Sequence, residues 1–109
     1  MAGVITYSAV VGDESYTGSY AYTARTEQEL VVANGAADTA LSLGGVTTGA
    51  VLRMESDQTL TINFNSNSGT NITLTASMPM FLAGSSITAI YVSNATGSDA
   101  NLKWAIFGV

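Results

Sequence analysis

Residues 59–65 read Thr-Leu-Thr-Ile-Asn-Phe-Asn. The alternation is unbroken, so a two-residue period places Leu60, Ile62 and Phe64 on one face and Thr59, Thr61, Asn63 and Asn65 on the other. This is the pattern of a half-buried strand, and it recurs along the chain. After a polar tip at residues 65–70, residues 71–76 (Asn-Ile-Thr-Leu-Thr-Ala) alternate again. The next apolar piece, Met78-Pro-Met-Phe-Leu82, carries the single proline. Proline cannot donate to a ladder, which assigns this piece to a sheet edge or a bend. Residues 87–92 are apolar on both faces and read as one central strand. Turn residues 94–99 then precede a closing strand over residues 102–107, with Leu102, Trp104 and Ile106 facing a core and Lys103 and Phe107 opposite.

Upstream of residue 59, Ala50, Leu52 and Met54 share a face from which Arg53 and Glu55 point away. Residues 26–29 (Thr-Glu-Gln-Glu) have the look of a helix start, but the β-branched run at residues 30–33 meets Asn34-Gly35, a tight-turn pair. The expectation there is a hairpin, its second strand spanning residues 39–43. At the beginning of the chain, residues 4–11 alternate until Gly12-Asp-Glu-Ser15 interrupts them. Tyr16, Tyr20 and Tyr22 then fall in phase, so this segment reads either as a second strand or as an extended arm, residues 1–25 in the latter case forming a partly extended N-terminal arm. No helical period is sustained, and turn signals recur about every 8 to 12 residues across eight or nine short strands. The fold class predicted is all-β: a single antiparallel β-sandwich, jelly-roll-like, with residues 1–109 as one domain.

Composition narrows the function. The 109 residues are 47% apolar and only 10% charged, against about 25% charged in typical domains. Thr, Ser, Asn and Gly stand where Lys and Glu usually do, and neutral groups cost less to desolvate than ions when another subunit covers them. The net charge is −5, and the three basic residues, Arg25, Arg53 and Lys103, are dispersed, which argues against nucleic-acid binding. There is no apolar run of membrane-spanning length and no signal-peptide pattern at the start, so a soluble protein is expected. With no Cys, disulfides and zinc ribbons are set aside. With no His, the side chain best suited to proton transfer near neutral pH is missing.

Glu55, Asp57 and Asp99 are the best candidates for a carboxylate cluster, since all fall at strand ends where a sandwich gathers its loops. Calcium asks for about six to eight oxygens, however, and Glu-x-Asp is a common spacing, so solvated turn acids are the simpler reading. A glycosidase pair would need a cleft, of which the sequence shows no sign. A serine nucleophile would have to rely on Lys103 as its base. No catalytic, cofactor-binding or metal residue is therefore assigned, and enzyme activity is not expected. Asn71-Ile-Thr73 and Asn94-Ala-Thr96 match the glycosylation sequon, which chance explains in so Asn- and Thr-rich a chain. Tyr16, Tyr20, Tyr22 and Phe107 make up the candidate interaction surface, because Tyr among Ser and Gly suits adaptable binding. The plainer alternative for the tyrosines is an amphipathic strand that covers the core edge; on the last strand Trp104 reads as a core anchor and Phe107, on the opposite face, as covered by a partner.

The region from Val51 to Val109 resembles small virion β-sandwich proteins of tailed bacteriophages. The resemblance rests on Val51-Leu-Arg-Met-Glu-Ser56 and on Ile87-Thr-Ala-Ile-Tyr-Val-Ser-Asn-Ala-Thr-Gly-Ser-Asp-Ala100: a strand ending Tyr-Val-Ser-Asn, a Gly-Ser-Asp turn and a closing apolar strand. It implies a capsid decoration (cement) protein, made in the host cytoplasm and bound to the outer surface of the head. The partner would be the major capsid protein lattice, and the bound form commonly a homotrimer. Two other readings remain open: a tail or fibre domain that recognises host glycan through residues 16–22 or the Asn-rich loops, and a carbohydrate-binding module.

Overall fold

The computed structural model describes residues 2–68 and 71–109, except for the side chains of Ala9, Val10, Val11 and Tyr16. Ten strands form, in the order β1 (Gly3–Val11), β2 (Glu14–Tyr22), β3 (Ala24–Val32), β4 (Thr39–Ala40), β5 (Gly49–Ser56), β6 (Leu60–Phe64), β7 (Ile72–Leu74), β8 (Met80–Ile87), β9 (Ile90–Ser93) and β10 (Ala100–Gly108). No helix occurs among the described residues.

Eight of these strands make two four-stranded antiparallel sheets, ordered β3-β10-β5-β8 and β4-β9-β6-β7. The pairing is nested: β6 with β7, β5 with β8, β4 with β9 and β3 with β10. The chain from β3 to β10 is thus one long hairpin whose successive strand pairs are rolled onto alternate sheets, closed by β10–β5 and β9–β6 pairing. This winding is a jelly roll. Between the sheets the inward set of each strand interdigitates: Leu52 and Met54 of β5, Leu60 and Ile62 of β6, Val92 of β9 and Ile106 of β10 are all essentially inaccessible. Trp104 joins this core and satisfies its indole by donating to the Ser42 carbonyl at 3.2 Å.

The rolled topology corrects two local expectations and agrees with a third. Asn34-Gly35 does not close a hairpin: β3 and β4 lie in different sheets, and the turn crosses between them. Residues 26–29 are strand, as the β-branched run after them led one to expect despite their helix-like start. Thr26 is buried and its hydroxyl donates to Leu43 O at 2.7 Å, while Arg25, Glu27 and Glu29 alternate outward. The apolar run 87–92 is divided, for Ile87 ends β8 in one sheet and Ile90 begins β9 in the other. Asn65 makes that corner: at φ 66° its Oδ1 accepts from Thr88 N at 2.7 Å and Ala89 N at 3.3 Å, and its Nδ2 donates to Ser86 O at 2.9 Å.

The remaining two strands, β1 and β2, form a separate antiparallel hairpin in register from Gly3↔Tyr22 to Val11↔Glu14. Gly12 occupies its turn at φ 64°, a backbone state that glycine adopts without a Cβ penalty.

Candidate functional site

The hairpin lies on the outer face of the β3-β10-β5-β8 sheet, and one side of it is built for that contact. Ile5 and Tyr7 of β1 share a face with Tyr20 and Tyr22 of β2. On the sheet below, the outward positions include Phe107 and Ala105 of β10, Val51 of β5 and Phe81 of β8. Tyr22 and Phe107 stack with centroids 5.0 Å apart and an interplanar angle of 56°, both buried. Val51 completes that cluster, and Ile5, Tyr20 and Ala105 pack around it. Farther out, Tyr7 meets Phe81 at 5.3 Å. Two glycines make room for these rings. A Cβ on Gly18 would fall 2.5 Å from the Tyr7 ring, and one on Gly3 would fall 2.6 Å from the Tyr22 hydroxyl.

The contacts run from β10 to β5 to β8, the edge strand, so the hairpin crosses the sheet towards that edge. Beyond Tyr7 its strands continue for four residues to an exposed turn at Gly12 and Asp13. At about 3.3 Å per residue the turn extends roughly 15 Å past the Tyr7–Phe81 contact.

Beside β1 the same sheet face forms a groove of about 530 Å³. Ile5, Val51, Phe81 and Phe107 line its apolar side, while Glu27, Glu29, Arg53 and Lys103 line the other. All three basic residues of the chain belong to this face, each with an acid beside it: Arg25–Glu27 at 3.7 Å, Arg53–Glu55 at 3.2 Å and Lys103–Glu29 at 3.5 Å. These pairs are solvent-exposed and add little stability. Their importance lies in distribution. Of the eight acids, three (Glu27, Glu29, Glu55) sit here and five (8 − 3) sit elsewhere, namely Asp13, Glu14, Asp38, Asp57 and Asp99. The sheet face is balanced, and the rest of the surface is purely acidic.

The carboxylates singled out from sequence are not gathered into one site. Glu55 pairs with Arg53. Asp57 accepts from the Asn101 side-chain amide and backbone N–H, both at 2.8 Å, and these bonds hold its carboxyl below the usual range. Asp99 accepts from Asn34 N at 2.9 Å. No group of three or more potential metal-ligating side chains occurs among the described residues.

The candidate interaction residues separate in the same way. Tyr22 and Phe107 bury each other, so Phe107 is covered by the chain's own hairpin rather than by a partner, and Tyr20 is half-buried against them. The side chain of Tyr16 lies outside the described residues, as do Gly69 and Thr70 of the polar tip at 65–70. The chain matches no protein-family model, no curated protein and no solved structure.

Two features escaped the sequence reading. Asn94, of the second sequon, is buried at 1% exposure with its amide saturated: Nδ2 donates to Val32 O at 3.0 Å and Ser98 O at 2.8 Å, while Oδ1 accepts from Thr96 N at 3.1 Å and Thr96 Oγ1 at 2.7 Å. It ties the β3–β4 crossing to the β9–β10 turn. The other feature is the open edge of the hairpin. Among the described residues β1 and β2 take ladder partners only from each other, and the sole hint in sequence was an uncharged run of nine residues.

Proposed function

We propose that this chain is a non-enzymatic structural protein of a phage head, a decoration (cement) protein that binds the outer surface of the major capsid protein lattice as a homotrimer. The observation that carries this reading is the contrast between the edges of the sandwich and those of the hairpin. An open strand edge invites another chain, and natural sheets blunt it with charge, bulges or brevity. The sandwich uses all three. β3 carries Arg25, Glu27 and Glu29, β8 shifts register around Gly84 at φ 73°, and β4 and β7 are two and three residues long. β1 has none of these protections. It is nine residues long, with regular register and no charged residue. A protein that blunts the edges of its sandwich and leaves the hairpin edge at β1 open is equipped for strand addition.

The surface composition supports the same reading. The outer face of the β4-β9-β6-β7 sheet presents Thr61, Thr73, Tyr91 and Ser93, which neighbour one another in register, and a neutral face of this kind is cheap to desolvate against another subunit. Many such contacts, repeated over a lattice, act together through effective concentration. The jelly-roll winding and the resemblance to small virion β-sandwich proteins point to the same class of protein. Negative-stain imaging of virions bearing a labelled copy tests the proposal: label distributed over the whole head is expected. Label confined to the tail, or absent from the particle, overturns it.

A further inference from the structure

The groove beside β1 has three properties that together define its occupant. One wall is the free backbone edge of β1, which offers alternating N–H and C=O groups and is satisfied by an extended strand. The lining is apolar at Ile5, Phe81 and Ala105 and also carries Arg53 and Lys103 together with Glu27 and Glu29, Arg53 pairing with Glu55 and Lys103 with Glu29. Finally, the groove lies on the face that holds every cation of the chain, whereas the other five acids lie elsewhere on the surface. Two copies brought together at random set acid against acid. The arrangement that avoids this seats an acidic part of one copy on the charge-balanced, cation-bearing face of the next.

The acids outside that face fall into two groups. Asp57 and Asp99 are engaged in turns at the end of the sandwich, accepting from Asn101 and Asn34, and Asp38, in the β3–β4 crossing, donates its backbone N–H to Ser93 Oγ at 3.0 Å. Asp13 and Glu14 sit at the exposed tip of a hairpin that overhangs its own sheet. Only that second group comes with strand edges of its own. We propose that the hairpin tip of one copy inserts into the groove of a second copy, adding a strand to the edge of β1, with Asp13 and Glu14 directed to Arg53 and Lys103. Tip and groove are different surfaces of the same chain, so the contact is head-to-tail and closes into a ring when the rotation permits. This inference rests on the assembly reading above and gives the self-association a location.

The test uses the full chain, whose lack of cysteine gives a clean background for cross-linking. Asp13→Cys and Arg53→Cys proteins, each with a single thiol, are mixed and oxidised. A disulfide between them can form only in trans, and it is expected to exceed clearly the yield from an Asp38→Cys and Arg53→Cys mixture. Equal yields overturn the inference.

A second arm reads molar mass by light scattering. Wild type is expected as an oligomer that dissociates as salt rises, since exposed charge attraction is screened. Asp13→Lys with Glu14→Lys, and separately Arg53→Glu with Lys103→Glu, are expected to be monomeric, and mixing the two reversed proteins is expected to restore the oligomer. These four positions are exposed, and circular dichroism confirms folding of each variant. A monomeric wild type at every attainable concentration, or an oligomer indifferent to both reversals, overturns the arm-in-groove contact. Neither result touches lattice binding, which the head-labelling experiment decides independently.

Discussion

Truncating Phe107 to alanine should release the hairpin without dissolving the sandwich. Phe107 is 8% exposed and Ile106, its neighbour, 0%, but the two project from opposite faces of β10, Ile106 into the core and Phe107 towards the hairpin. Taking about 150 Å² of apolar area for the buried ring at about 25 cal/mol per Å² gives roughly 4 kcal/mol, and the lost Tyr22 stacking adds about 0.5–1.5 kcal/mol. The hairpin can settle partly into the space, so a net loss of about 3 kcal/mol is expected, at the low end for buried Phe→Ala changes. Because the hairpin packs on the sandwich chiefly through these side chains, with Thr23 N donating to Gly108 O at 2.9 Å where the chain passes into β3, this loss falls on hairpin docking first. Hydrogen exchange followed by mass spectrometry should show β1 and β2 amides exchanging at least tenfold faster while β5, β6, β9 and β10 keep their protection. If all strands lose protection together, or if β1 and β2 remain as slow as in wild type, the hairpin is not a separately docked element and the reasoning fails.

Gly18→Val should drive the Tyr7 ring off its seat, since a Cβ there falls 2.5 Å from ring atoms; in two-dimensional NMR the ring cross-peaks between Tyr7 and Phe81 are expected to vanish, and their persistence would refute the packing described. Asn94→Asp should place a buried carboxylate against the Val32 and Ser98 carbonyls in place of two donated bonds, costing at least about 3 kcal/mol at neutral pH and less once the acid is protonated; urea unfolding at neutral and acid pH reads this, and a pH-independent difference would count against it. Asp57 has its pKa lowered in the fold by the Asn101 bonds, so its contribution is fully present above the unfolded carboxylate value of about 3.9 and is lost as pH falls through the lower folded value. The stability gap between wild type and Asp57→Asn should therefore shrink on acidification below about pH 4, and a gap that stays constant down to about pH 2 would contradict the assignment.

The fold class was legible because two-residue alternation survives wherever one face of a strand is buried. Leu60 and Ile62, Leu52 and Met54, and Leu102, Trp104 and Ile106 face the core as their spacing requires. Strand partners were far less legible. In a nested jelly roll only the innermost pair of the sandwich, β6 and β7, is joined by a local turn; the others pair across separations such as that between Ala24 and Gly108, which local turn chemistry does not encode. This is why Asn34-Gly35, a strong hairpin signal, marks a crossing between sheets. The run 87–92 misled for a related reason: its six apolar-rich residues are continuous in sequence, but the corner at Thr88 and Ala89 is fixed by Asn65, more than twenty positions upstream. Long-range side-chain anchors of this sort, Asn94 among them, look like ordinary polar loop residues until the fold brings their partners together.

The site was legible only in outline. Tyr20, Tyr22 and Phe107 were singled out because they are aromatic at outward positions, but the sequence did not show that they would find one another, and their mutual burial moves the exposed chemistry elsewhere. What they hold in place is more telling: a hairpin laid across a sheet, one uncharged edge open above a groove, an acidic tip beyond. Uniform acidity would keep copies of such a chain apart. Placing every cation on the single face beneath that edge makes one relative orientation of two copies less repulsive than the rest, and in the proposed contact the open edge would then fix register through backbone bonds. In the proposed contact, charge would select the approach and the strand edge would supply the attachment, a division of labour that a chain with only three basic residues can sustain so long as all three lie on the same face.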